Sequence, residues 1–337
     1  MNYRVLGSVA AAAAIAFAQP VAYIAQEANK AIEVLAAARK AIGDKKLDAL
    51  KTFSVQSSLQ RNLSNTQISS DVEIVLDLPD KYLRQETPLG GGMVLAGGGV
   101  SGFSGGRPLQ KVGFGGAPGG GMIIRMGGMG APTAEGEKPT PEQLQQLTRT
   151  LVRTGQVEAS RLMLGWFAAA HPAVSVQYTY AGEAESPDGK AFVIDVKNAD
   201  NFNARLFIDQ QTHLPLMVTY KGPQPRMMTA GGPSVVSGPA AGGGHVIRSE
   251  APANRELTEE ERKKMRADAE KQVQDMQRQP PVLVDFALYF EDWRDAEGVK
   301  FPFKMRRASE GTTTEEWTVN RIKVNPKVDP KRFAGDS

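Results

Sequence analysis

The sequence predicts an α+β fold: one antiparallel sheet of about ten strands, with a dry face covered by helices, interrupted by two glycine-rich tracts. Three observations carry that prediction. Apolar and polar residues alternate in segments spread from Phe53 to Val324, the period of strands with one buried face. Two stretches, 24–43 and 140–167, instead repeat apolar residues at three- and four-residue steps, as a helix burying one side does. Many of the 35 glycines crowd between Gly90 and Gly130 and again after Gly222. Ordering such backbone is entropically expensive, and little apolar surface is present to offset it.

The chain opens on a charged residue, Arg4, followed by an apolar run from Val5 to Phe17 and the small-x-small pattern Ala16-Phe17-Ala18. This predicts a signal peptide over residues 1–18, cleaved before Gln19. The run is shorter than the ~20 residues a spanning helix needs, so no stable membrane insertion is expected after cleavage. The remainder, 19–337, reads as a single domain with flexible, disordered insertions at 89–138 and 222–256. There is no cysteine, which excludes disulfides and thiolate chemistry and suits an oxidising compartment. The expected location is the periplasm.

In the first helix, Ile24, Ala28, Ala31, Ile32, Leu35, Ala38 and Ile42 mark one apolar face, and Gly43 stands where a C-cap glycine belongs. Leu47 and Leu50 predict one more short turn. Phe53, Val55 and Leu59 then line one face of a strand, and Ile68, Val72, Ile74, Leu76 and Leu78 line one face of the next. Ser64-Asn65-Thr66 between them signals a hairpin. After the first glycine-rich tract, Thr140-Pro141-Glu142-Gln143 is a capping box with proline at the first helical position. Leu144, Leu147 and Leu151 continue one face, and a second helical stretch is expected after Gly155, carrying Leu162, Trp166 and Phe167 and ending at Pro172.

Four strands are predicted at 174–180, 191–196, 204–209 and 214–220, with turns at 186–189 and 210–213. Beyond the second tract, Thr258 and Glu261 cap a charged helix reaching about Gln277. Val282, Val284, Phe286, Leu288 and Phe290 alternate strictly, as do Val299, Phe301, Phe303 and Met305. A last strand runs from Thr313 to Val324 and carries Trp317 and Val319.

No feature of this pattern is catalytic. The formal net charge is only +3, and no basic stripe interleaved with aromatics supports nucleic-acid binding. Gly97-Gly98-Gly99-Val100-Ser101-Gly102 matches a dinucleotide-binding pattern, and Gly102-Phe103-Ser104-Gly105-Gly106 matches a nucleophile elbow. Neither lies between a strand and a helix, as the chemistry requires. His171, His213 and His245 lack ligand spacing, and Met93, Met122, Met126 and Met129 read as adaptable loop side chains and not as a soft-metal site. Carboxylates fall mostly on wet faces, with no pair set apart as acid and base. The expectation is no enzyme, no metal and no cofactor.

Several turn-and-strand segments resemble the LolA/LolB-type lipoprotein-carrier superfamily, in particular its divergent outer membrane lipoprotein-sorting group. They are Ala38-Arg39-Lys40-Ala41-Ile42-Gly43, Leu78-Pro79-Asp80-Lys81-Tyr82-Leu83-Arg84, Leu206-Phe207-Ile208-Asp209, His213-Leu214-Pro215-Leu216, Gly298-Val299-Lys300-Phe301-Pro302-Phe303 and Ile322-Lys323-Val324-Asn325-Pro326. The resemblance implies an unclosed, curved β-barrel whose concave face is covered by helices and holds acyl chains. Its implied partner is a lipid or an acylated protein, with an envelope protein as a further partner. The strand alternation nominates Phe53, Val55, Val72, Ile74, Leu76, Val284, Phe286, Leu288, Phe301 and Phe303 for that concave face. The same residues equally suit a closed, filled core, in which case the chain is an envelope-sensing or protein-interaction module.

Overall fold

The computed structural model describes residues 19–63, 66–89, 99–109, 140–186, 189–224, 226–229, 232–235, 258, 260 and 282–334. Helix α1 (Gln19–Ile42) and the short α2 (Lys45–Asp48) lead into a first meander. It comprises β1 (Thr52–Leu63), β2 (Thr66–Asp77), β3 (Lys81–Pro88), β4 (Gly99–Ser104) and β5 (Arg107–Pro108). Helix α3 (Pro141–Phe167) follows, then a second meander of β6 (Gln177–Ser186), β7 (Gly189–Lys197), β8 (Asn203–Asp209) and β9 (Pro215–Pro223). A small hairpin, β10 (Arg226–Thr229) with β11 (Gly232–Val235), stands apart from the main sheet. The chain closes with β12 (Leu283–Ala296), β13 (Val299–Ser309) and β14 (Thr312–Val324), and a 3₁₀ turn at Pro330–Phe333.

Twelve strands form one antiparallel sheet in the order β5-β4-β3-β2-β1-β14-β13-β12-β9-β8-β7-β6. The two end strands do not pair, so the sheet is not closed. Its last three strands sit at the centre: β14 pairs with β1 and β12 pairs with β9. The C-terminal segment therefore joins two local meanders that would otherwise share no ladder.

Alternation put the expected residues on one face. Phe53, Val55, Leu59, Val72, Ile74, Leu76, Leu288 and Phe301 are all buried in the main core. Helix α1 contributes Ala31, Val34, Leu35, Ala38 and Ile42 to it. Ile32, expected on that face, is instead 63% exposed, because the buried stripe runs through Val34. The chain reversal after α1 is made by Asp44, whose φ is 46°, and not by Gly43. Gly43 sits where a Cβ would come within 3.4 Å of Leu47 and Val299. The opposite face of the sheet is not wholly wet, since Val75, Leu83, Leu109 and Phe333 form a second small core there.

Three further expectations change. Gly155 does not divide two helices: α3 is one helix of 27 residues. The glycine lies where α3 meets β4, with Phe103 Cδ1 3.0 Å from the place of its absent Cβ. The helix ends at Phe167, with Ala168 in the left-handed conformation, ahead of Pro172. Part of the first glycine-rich tract belongs to the sheet, as β4 and β5. Gly102 there has φ +134°, and a Cβ would fall 2.0 Å from the Tyr82 carbonyl oxygen, so only glycine permits that strand approach. The second tract likewise begins inside β9 and carries β10 and β11. The rest of both tracts, the expected signal peptide and most of the helix expected from Thr258 lie outside the described residues.

Candidate functional site

The covered face of the sheet has two halves, both under α3. The helix presents Val152, Gly155, Ala159, Leu162, Met163 and Trp166 on one side, a spacing that follows the helical period. Towards its C-terminus the contact is aromatic. The Phe53 ring lies 5.1 Å from Phe167 and 5.3 Å from Phe301, and Trp166 lies 5.2 Å from Phe301. Trp166 donates its indole N–H to Met305 Sδ at 3.1 Å. Gly165 leaves room for the Phe290 ring, whose Cζ would be 1.9 Å from a Cβ there. The interior is well filled: beside Leu162, Leu288, Phe290, Met305 and Trp317 a void of only about 10 Å³ remains, and Arg307 borders it.

One helical turn earlier the interface is ionic. Arg61 continues the dry face of β1, Arg84 and Glu86 that of β3, Arg307 that of β13, and Glu315 that of β14. The pairings Arg61–Glu315 and Arg307–Glu315 are cross-strand neighbours. Helix α3 adds Glu158 and Arg161. Arg61 grips both oxygens of Glu86, donating from Nη2 to Oε2 at 2.9 Å, and donates from Nε to Glu315 at 3.0 Å. Arg84 reaches Glu86 at 3.1 Å and Glu158 at 2.5 Å, and its guanidinium lies 4.8 Å from the centre of the Trp317 ring. Glu315 also accepts from the Trp317 indole at 3.3 Å and pairs with Arg307 at 3.3 Å.

Burial alone would raise the Glu315 carboxyl, yet Arg307, Arg61 and Arg84 together hold it down to about 2. Burial opposes the charge on Arg84, but Glu158 and the other anions lift its proton affinity above the usual value. Glu315 is therefore a fixed anion among fixed cations, and the cluster offers charge for binding and orientation instead of a proton for transfer. Glu86 and Glu315 are only 5% and 8% exposed. They correct the expectation that carboxylates keep to wet faces.

Four arginines face three glutamates here, and Arg161 is the one without a carboxylate partner among the described residues. It enters no ion pair among the described residues, and its buried Nε meets no acceptor. Its guanidinium is stacked 3.6 Å above Tyr220, which in turn stacks on Phe286 at 5.3 Å with the planes 13° apart.

Of the nominated residues, Phe53, Val55, Val72, Ile74, Leu76, Leu288 and Phe301 come together in the main core, and Phe303 packs against it half-buried. Val284 and Phe286 are buried further along β12, Phe286 under Tyr220. The charged cluster was missed. The signal that would have found it is parity: each of its strand residues falls at an inward position of a strand that also carries apolar or aromatic inward residues, such as Leu59 on β1, Tyr82 on β3, Met305 on β13 and Trp317 on β14. The nucleophile-elbow match at Ser104 closes β4 and turns straight into β5, so no helix follows it. Among the described residues no three His, Cys, Asp or Glu cluster as a metal site. Met93, Met122, Met126, Met129 and His245 lie outside the described residues.

These features define an open-sheet, helix-covered α+β protein with an apolar and ionic covered face. No protein family and no curated protein matches the chain. Among solved structures it is similar to a LolA superfamily protein from Nitrosomonas europaea, with TM-score 0.43 and 8% identity over 90% of this chain and 97% of that one. It is similar to a DUF1329 family protein from Desulfovibrio piger, with TM-score 0.42 and 8% identity over 90% and 96% of the two chains. It is also similar to a domain assigned to outer membrane lipoprotein sorting from Vibrio parahaemolyticus, with TM-score 0.40 and 9% identity over 91% and 97%. None of the three lends this chain a ligand.

Proposed function

We propose that this chain is a non-catalytic periplasmic carrier or chaperone that binds the acyl chain of a lipid or an acylated protein between α3 and the covered face of the sheet. The observation that carries the reading is the continuity of that apolar face. It runs across the open sheet from Val72, Ile74 and Leu76 on β2 through Leu288 on β12 to Val218 and Leu206, and among the described residues the two long helices α1 and α3 cover it. Each CH₂ buried there would contribute about 0.8 kcal/mol, enough for useful affinity without any reacting group. Because the face is filled, an acyl chain must displace aromatic side chains of α3, Trp166 and Phe167 first. Among the described residues no helix is long and apolar enough to cross a membrane.

The test is competition for an environment-sensitive apolar probe by an acylated peptide and its unacylated twin. Displacement by the acylated peptide alone supports the carrier. Failure of the probe to bind, or equal displacement by both peptides, rejects it. One observation favours a second reading: the void of about 10 Å³ is that of a filled core. On that reading the chain is a protein-interaction or envelope-sensing module, and equal displacement by both peptides is its expected result.

A further inference from the structure

Arg161 is an oddity in energetic terms. A buried guanidinium is normally compensated by a carboxylate or by acceptors, since an unpaired buried charge is costly. Its neighbours Arg61, Arg84 and Arg307 all pair with carboxylates; Arg161 makes no such pair among the described residues and rests on Tyr220, with Glu158 acting on it from further off. Burial pulls its proton affinity down to about 10, with the like charge of Arg307 acting in the same direction. At neutral pH it still carries its charge, which Tyr220 and the more remote charge of Glu158 offset only in part. Arg307 repeats the pattern in part: its Nε is buried and meets no acceptor. Two inward-facing guanidinium edges are thus unused at one place.

The place is reachable. The Arg307 side chain is 22% exposed and that of Glu158 25%, whereas Glu86 deeper in the cluster is 3% exposed. Arg307 also borders the small void lined by Leu162, Leu288, Phe290, Met305 and Trp317. Arg307 thus joins the cluster to the apolar half of the covered face, and a ligand must part the side chains around the two buried Nε groups to reach them.

From this geometry we infer that Arg161 and Arg307 form an anion subsite that takes the phosphate head of an amphiphile whose chain lies along Leu288 and Phe290. A phosphate oxygen accepts from the unpaired Nε of each arginine, and its charge supplies the anionic partner that Arg161 lacks among the described residues. The aromatic stack of Tyr220 on Phe286 fixes the Arg161 plane, so little side-chain entropy is lost on binding. The tail placement rests on the acyl-binding reading above; the anion subsite does not.

The experiment measures binding to the purified protein by tryptophan fluorescence, since Trp317 lies beside both halves. The probes are dodecyl phosphate, an uncharged dodecyl glucoside and inorganic phosphate. Wild type is expected to bind dodecyl phosphate about 10-fold more tightly than the glucoside. Arg161→Met should abolish that preference while leaving the glucoside affinity unchanged, and Arg161→Lys should restore it in part. Binding of phosphate alone, lost in Arg161→Met, keeps the subsite and assigns it to free phosphate. If neither alkyl ligand binds but phosphate does, the acyl reading fails and the subsite stands. Equal affinity for the charged and uncharged alkyl ligands, a preference that survives Arg161→Met, or no binding of any probe overturns the subsite. The unliganded Arg161→Met protein should also melt above wild type, because a desolvated charge offset only in part has been removed; a lower midpoint would make Arg161 a structural cation held by Tyr220, and would overturn the inference as well.

Discussion

The two halves of the α3–sheet interface share one helix and one sheet, yet they are held by different physics. At Trp166 and Phe167 the contact is dry, aromatic and dense, and Gly165 brings the helix backbone against Phe290. One to two turns earlier, at Glu158 and Arg161, the contact is a lattice of charges removed from water. The first kind of contact supplies stability in proportion to the area buried. The second supplies little net stability, because desolvation opposes the Coulomb attraction, but it penalises any arrangement that leaves a charge alone. A cover built this way is strongly anchored at one end and selective at the other.

The largest expected effect breaks the dry half. Trp166 is fully buried among Phe53, Phe167 and Phe301, so Trp166→Ala should destabilise the fold by about 4 kcal/mol. Urea denaturation with an unchanged slope would confirm it. A loss below about 1 kcal/mol would mean the aromatic cluster is slack, and the contrast between the halves would collapse.

Next comes the charged half. Glu315 is the anion shared by Arg61 and Arg307, so Glu315→Gln strands Arg307, while Arg61 keeps Glu86, and should cost about 3 kcal/mol. Replacing Glu158, at the exposed rim, with Gln should cost clearly less, because Arg84 retains Glu86. Equal losses at the two positions would show that depth within the cluster does not matter.

The covered face was legible in the sequence because strand alternation is local: Phe53 and Val55, or Val72, Ile74 and Leu76, declare their side without knowledge of any partner. The ionic cluster was not, because its pairs are remote. Arg61 and Glu315 are 254 residues apart, and nothing within either strand says that its one inward charge meets another. Gly155 and Gly102 misled for a related reason. Each looks like a breaker by local rules, yet each is required where two elements approach closely, and that contact is a property of the assembled fold. The Ser104 match was correctly set aside on context, since β4 leads into a strand.

Acid should separate the two halves in order. His171 is fully buried with its Nε2 unpaired, and burial lowers its pKa from 6.5 to about 4. The unfolded chain therefore takes up a proton that the fold refuses, and stability falls as the pH drops from about 6.5 towards 4. The full effect is on the order of 3 kcal/mol. Glu315 has its pKa held to about 2, from 4.5, by its arginines against the opposing effect of burial. Its contribution is present above pH 4.5 and disappears as the pH falls towards 2. Melting temperatures across this range should decline in two stages, and His171→Asn, which keeps an acceptor for the Ala173 N–H, should remove only the upper one. A single decline confined below pH 4 would show that His171 protonates freely in the fold.

The smallest effect concerns the far end of the same helix, which belongs to neither half. Thr140 accepts from the Gln143 N–H at 3.3 Å, and the Gln143 side chain accepts from the Thr140 N–H at 2.8 Å. This reciprocal cap closes the helix start where residues 141–146 are all exposed. Breaking it with Thr140→Ala frees the Gln143 N–H to water and should weaken the first turns by about 1 kcal/mol. With no buried side chain in those turns, the loss should remain local. Amide exchange should accelerate near residues 143–147 while the global unfolding midpoint hardly moves. A global loss equal to the full value of the cap would show that the exposed turns are cooperative with the packed ones, and that α3 responds as one body across its dry, charged and solvated lengths.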